Sequence, residues 1–188
     1  MSDGLIPGTN LPNKKFDGMF STFEPLIKAT NGLTLSQVCA ITGLESSTIQ
    51  NWVKRHFVAR PIKKKYHERQ LARILLISSL RDSMKIESIG ELMRMVNGST
   101  DDESDDIISE DKMYDYFCKI SMSVKDNDVS MNDISALVED TLSDYNAPSE
   151  NAKKRLCDAL TVMVLAYISS VYKQRAEQML NSIREDVK

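Results

Sequence analysis

The stretch SSTIQNWVKRHFVARPIKKKY, residues 46–66, sets Lys54, Arg55, Arg60, Lys63, Lys64 and Lys65 around the single tryptophan of an acidic chain. Those residue types suit a duplex. Gln and Asn side chains can pair in bidentate fashion with adenine, Ser and Thr donate or accept, and Lys and Arg neutralise phosphates or read guanine. Base readout is therefore expected from Ser47, Gln50, Asn51 and Lys54. Thr48, Arg55, Arg60, Lys63, Lys64 and Lys65 would anchor the backbone. Other chemistries lack their parts. His56 and His67 are the only histidines, both fall at this stretch, and no motif supplies metal or acid–base partners for them. The acidic run 101–111 has neither the glycine nor the spacing of an EF-hand loop. No nucleophile–base pair stands out, so the expectation is a non-enzyme with no catalytic residue, metal or cofactor, and with any effector unknown.

The elements that would carry these residues are helical. Thr34 can cap a helix in which Leu35, Val38 and Ile41 share a face, and Gly43 breaks it. A second helix follows at once, capped by Ser46 or Ser47, with Ile49, Trp52 and Val53 inward and Ser47, Gln50, Asn51 and Lys54 outward. Ser47 and Gln50 could alternatively form a capping box, which would keep Gln50 from any base. The text HFVARPIKKKY then loses the helical stripe and reads as a small hairpin. Two helices are expected after it, one with Leu71, Ile74 and Leu75 inward, the other with Ile86, Ile89, Leu92, Met93 and Val96. Trp52 and Tyr66 are expected in the core rather than as stacking platforms.

Charge divides the chain. Residues 1–98 carry 14 Lys/Arg against 8 Asp/Glu, whereas residues 99–188 carry 10 against 19, within a net charge of −3 over 188 residues. A polyanion-binding part joined to a part with another role follows. The expected organisation is an extended lead-in over 1–32 with at most a short helix near Phe20 to Lys28, a DNA-binding domain over 33–98, an acidic linker or loop over 99–111, and a helical dimerisation or effector region over 112–188. In that last region three helices are expected, the third starting after Pro148. Its segment ALTVMVLAYISSV, residues 159–171, is apolar nearly all round and needs cover from the bundle or from a second subunit. With no secretory pattern and too short an apolar run to span a bilayer, a cytoplasmic protein is expected. Cys39, Cys118 and Cys157 are odd in number and far apart, and read as buried small hydrophobes.

The order of these motifs from Leu33 to Met93 resembles the DNA-binding domain of the MerR family. That family's first helix, glycine-hydrophobic turn, Thr-Leu-Arg-Tyr-Tyr recognition helix, wing ending in Arg-Tyr and following helix pair are similar to Leu35 to Ile41, Gly43-Leu44, Thr48 to Trp52, Lys65-Tyr66 and residues 67–96. More narrowly, NWVKRHFVARPIKKKYHERQLARILLI is similar to the signature of the uncharacterised ykrK-type family of Firmicutes proteins. The resemblance implies a mainly α fold: an N-terminal winged helix-turn-helix with a small β-wing, plus a C-terminal helical bundle. It also implies double-stranded DNA as partner, with contacts from Thr48, Gln50, Asn51, Lys54 and the wing cations. The chain departs from the pattern in a shorter wing, in Gln50 where an Arg is usual, and in His56 where a left-handed glycine is usual. Because a non-glycine residue pays roughly 1 kcal/mol or more at positive φ, a differently built turn is expected at His56. The functional expectation is a sequence-specific transcriptional regulator, a homodimer through its C-terminal helices. The alternative is an adaptor or antirepressor that holds a protein partner, which would be favoured if the chain's own acidic segment covered the wing cations.

Overall fold

The computed structural model describes residues 5–11, 19–100, 102, 104–126 and 131–186. These form eight helices: α1 (Met19–Thr30), α2 (Leu35–Thr42), α3 (Ser46–Lys54), α4 (Glu68–Leu80), α5 (Ile86–Asn97), α6 (Glu110–Asp126), α7 (Met131–Thr141) and α8 (Glu150–Asp186). The mainly α architecture matches the sequence expectation. α1 is longer than expected and packs into the core through Phe20, Phe23 and Ile27, although Pro25 interrupts its hydrogen bonding.

Helix α4 organises the packing. Every residue from Gln70 to Leu80 except Ser78 is buried, so it needs neighbours on all sides, and it has them in α1, α2, α5, α6 and α8. One apolar core consequently runs from Ile6 to Val164 across both halves of the chain. α8 joins that core through Leu156, Leu160, Met163 and Val164, while Val162 is exposed, as are Tyr172, Met179, Leu180 and Ile183 further along. By length and composition α8 alone among the described helices could cross a bilayer, but its first half is a core helix.

The expected β-wing is corrected. No sheet forms among the described residues; the segment contains two isolated antiparallel bridges, Leu33 with Tyr66 and Ile62 with Lys65. Its β-favouring residues are used otherwise: Val58 and Tyr66 are buried in the core, and Ile62 is exposed, so no row of alternating contacts remains to extend a ladder. The cysteine expectation holds for Cys118 alone, since Cys39 and Cys157 are half-buried; all three are free. Burial pushes the Cys118 thiol far above its usual range.

Candidate nucleic-acid interface

Helix α2 begins with a capping box in which the Thr34 hydroxyl accepts from the Gln37 amide and the Gln37 side chain accepts from the Thr34 amide. It ends at Gly43, whose φ of 70° is left-handed, and whose amide donates to the Cys39 carbonyl at 2.8 Å. A Cβ on Gly43 would also lie 2.3 Å from the Asn10 side chain, so glycine is needed for both reasons. Three residues later α3 starts. Its N-cap is Glu45 with no side-chain cap hydrogen bond, which corrects the expected capping by Ser46 or Ser47 and leaves Gln50 outside any capping box.

Ile49 and Trp52 anchor α3 in the core, as expected. Ser47, Gln50, Asn51 and Lys54 are all exposed and stand at i, i+3, i+4 and i+7, so they share one outward face. Thr48 is half-buried beside them. The structure therefore brings together the four residues assigned to base readout. Tyr66 is in the core as expected, and burial raises its phenol pKa.

The six flanking cations divide by their partners. Arg55 forms a 2.6 Å ion pair with Glu87 of α5 and lies over the Phe57 ring, 4.8 Å from its centroid. A backbone hydrogen bond and then this guanidinium hold the Glu87 carboxyl below its usual range. Lys65 is half-buried, with Nζ 3.4 Å from the Gly32 carbonyl. By contrast, Lys54, Arg60, Lys63 and Lys64 are exposed, and no ion pair engages them among the described residues. Arg60 is fixed through its backbone, since its carbonyl accepts from Gln70 Nε2 at 3.2 Å.

Lys63 and Lys64 form the tip of a two-residue turn. Ile62 and Lys65 exchange two backbone hydrogen bonds of 2.9 Å, and both lysines have positive φ, 49° and 64°. Such a turn suits Asn-Gly, so two lysines there cost roughly 1–2 kcal/mol each. His56 has φ 60°, which corrects the expectation of a differently built turn: the left-handed residue is kept without glycine. Two anchors hold this corner, as Arg73 Nε donates to the Phe57 carbonyl at 2.7 Å and the Thr100 hydroxyl donates to the His56 carbonyl at 3.2 Å.

The described residues of the acidic segment dock beside the interface and form no ion pair with Lys54, Arg60, Lys63 or Lys64. Arg69 Nη2 donates to the Ser99 and Asp102 carbonyls and reaches Asp106 at 3.5 Å. Glu110 lies 2.8 Å from both Arg69 and Arg73, and the Arg73–Glu110 pair is almost wholly buried, with side chains 2% and 1% exposed. Burial, opposed by Arg69, pushes the Asp106 carboxyl up to about 6. An open groove of about 680 Å³ separates this segment from the base of the turn and is lined by His56, Arg60, His67 and Asp106 among others. His67 is also the N-cap of α4, in a capping box with Gln70. No cluster of His, Cys, Asp or Glu among the described residues could hold a metal ion. Sequence reading missed Arg69, Arg73 and Gln70, which position the interface; their one signal was polar side chains inside an otherwise apolar helix.

Comparison with known proteins finds a likeness between this region and uncharacterised proteins. Residues 25–117 match a family model described as "Domain of unknown function (DUF1836)", a span that runs from α1 through the interface to α6 and includes Glu110. The particular relative is the "Uncharacterized protein YkrK" of Bacillus subtilis (strain 168), 34% identical over 79 residues, covering 40% of this chain and 34% of the relative. The match thus spans about a third of that relative's length. Together these findings support the likeness to the ykrK-type family; the MerR likeness rests on the order of motifs alone. No solved structure matches.

Proposed function

We propose that this protein is a cytoplasmic, dimeric, sequence-specific regulator of transcription, with α3 as recognition helix of a MerR-like winged helix-turn-helix and the Lys63–Lys64 tip as its wing. One observation carries the reading: Ser47, Gln50, Asn51 and Lys54 form a single exposed face next to exposed cations that no described residue of the acidic segment neutralises. An adaptor that masked its own cations would show the reverse pairing. Here Asp106 and Glu110 are engaged by Arg69 and Arg73 of α4, away from the basic face, which leaves that face for phosphates.

Dimerisation is assigned to the second half of α8. Tyr172, Met179 and Ile183 stand seven and four residues apart, the heptad spacing of a coiled-coil seam, and are 64%, 61% and 59% exposed. Lys173 and Arg175 precede Glu185 along the helix, so antiparallel pairing with a second copy would set opposite charges side by side. Met179→Glu is expected to convert the dimer to monomers in sedimentation equilibrium.

The functional test is selection from random duplexes at several salt concentrations. An enriched two-fold symmetric site, with Asn51→Ala relaxing preference at one base position and Lys64→Ala weakening all sequences alike, is the expected result. Weak binding with no enriched sequence at low salt would overturn the reading.

A further inference from the structure

A cleft of about 330 Å³ lies between residues 5–11, the end of α2, the end of α4 and α8. Its N-terminal wall is a built structure. Ile6 and Leu11 close the segment with a 2.9 Å backbone hydrogen bond, and the Asn10 amide donates to the Ile41 carbonyl at 2.9 Å. The buried Tyr114 hydroxyl donates to the Pro7 carbonyl at 2.7 Å. Gly8, at φ 73°, approaches α4 so closely that a Cβ would lie 2.3 Å from the Leu75 carbonyl oxygen. The cleft is therefore held open between fixed walls.

Its lining has a definite hydrogen-bonding character. Ser79 and Ser170 are buried and spend their hydroxyl protons on helix carbonyls, Leu75 at 2.8 Å and Tyr167 at 2.7 Å. Each oxygen still has a lone pair to accept with, so the floor favours a ligand that donates. Asn10, Ser78 and Gln174 also line the cleft, and no hydrogen bond engages their side chains among the described residues. Arg81 and Asp82 also line the cleft, and their mutual contact is a loose 3.9 Å; the local charge cancels, and each retains free capacity for a hydroxyl.

We propose that this cleft binds a small, uncharged, polyhydroxylated molecule of monosaccharide size. The volume sits at the lower end of small-molecule sites, roughly 300 Å³. An acceptor floor calls for ligand hydroxyls, and the balanced Arg81–Asp82 pair gives no net field for an anion. An apolar ligand would leave the rim amides and hydroxyls unsatisfied on closing over them.

The test is calorimetric titration of the full chain with D-glucose, D-ribose and myo-inositol, alongside L-serine and inorganic phosphate. Saturable binding of at least one polyol is expected, weakened about 3- to 10-fold by Gln174→Ala and by Ser78→Ala, the loss of one hydrogen bond each. Gln174 is exposed and Ser78 half-buried, and neither side chain makes a hydrogen bond to the described residues, so circular dichroism of the variants is expected to be unchanged. No polyol binding at millimolar concentration would overturn the proposal, as would polyol binding indifferent to both substitutions. Binding of serine or phosphate alone would overturn the ligand class. The titration contains no DNA, so its outcome is independent of the function proposed above.

Discussion

If the protein binds DNA as proposed, the number of phosphates that one protomer would neutralise can be worked from the cations left without an ion pair among the described residues. Of the six in and around the turn, Arg55 is committed to Glu87 at 2.6 Å and Lys65 to the Gly32 carbonyl. Lys54, Arg60, Lys63 and Lys64 remain exposed, and Lys54, at the end of the base-reading face, is counted with the others because an ammonium in the groove displaces counterions as well. At about 0.9 counterion released per neutralised phosphate, the slope of log K against log salt is about −3.6 per protomer. Raising salt from about 50 to about 200 mM should then weaken binding about 150-fold. The double variant Lys63→Ala/Lys64→Ala should halve the slope to about −1.8, so the same salt change costs about 12-fold. Fluorescence anisotropy with a half-site duplex across that range measures both. Arg55→Ala should leave the slope near its starting value, since that charge already has a partner. A slope unchanged in the double variant would refute the assignment of the turn to phosphate. A starting slope near −5.4, roughly what six contacts give, would show that Arg55 and Lys65 abandon their partners on DNA.

Three further outcomes concern the frame around the interface. Arg73→Met removes one side of a buried ion pair and the donor to the Phe57 carbonyl, and should destabilise the protein by about 3 kcal/mol in urea unfolding, the lower end for such breaks because Glu110 keeps Arg69. His56→Gly should raise stability by about 1 kcal/mol, because the residue sits at φ 60°. Asp106 has a folded pKa of about 6 against an ordinary 3.8, so the folded state binds its proton more tightly than the unfolded chain. That carboxyl therefore favours folding more as pH falls from above 6 toward 4. Asp106→Asn should be more stable than the parent at neutral pH, with this part of the pH profile flattened in thermal melts.

Local signals were the legible ones. The Thr34 cap, the break at Gly43 and the Ile49–Trp52 anchor are fixed by neighbours within a turn or two, so α2, the turn and the outward face of α3 follow from spacing. The start of α3 was missed because serine's capping preference is only a prior, and the chain leaves its preceding loop through Leu44, which is buried, placing Glu45 at the cap. The wing was misread as a strand pair because β-propensity measures fit to a half-buried surface; Val58 and Tyr66 found that surface in the core instead. The docking of the acidic segment was illegible in principle. Arg69 and Arg73 meet Glu110 from about ten helical turns away in sequence, and no periodicity encodes such a pairing. The same holds for Arg55 and Glu87, which removes from the free set a cation that composition alone would count.

The position of α4 has a practical consequence for anyone dividing this chain. Because Leu71 to Ile77 are all buried, with α6 and α8 supplying part of the cover, a fragment stopped after α5 would keep the proposed recognition surface yet bare an apolar stripe along its central helix. It would also strand Arg73 without Glu110. Such a truncated product is expected to aggregate or fall to proteases rather than behave as a minimal DNA-binding module. A frameshift beyond the acidic segment should then abolish function as completely as one before it.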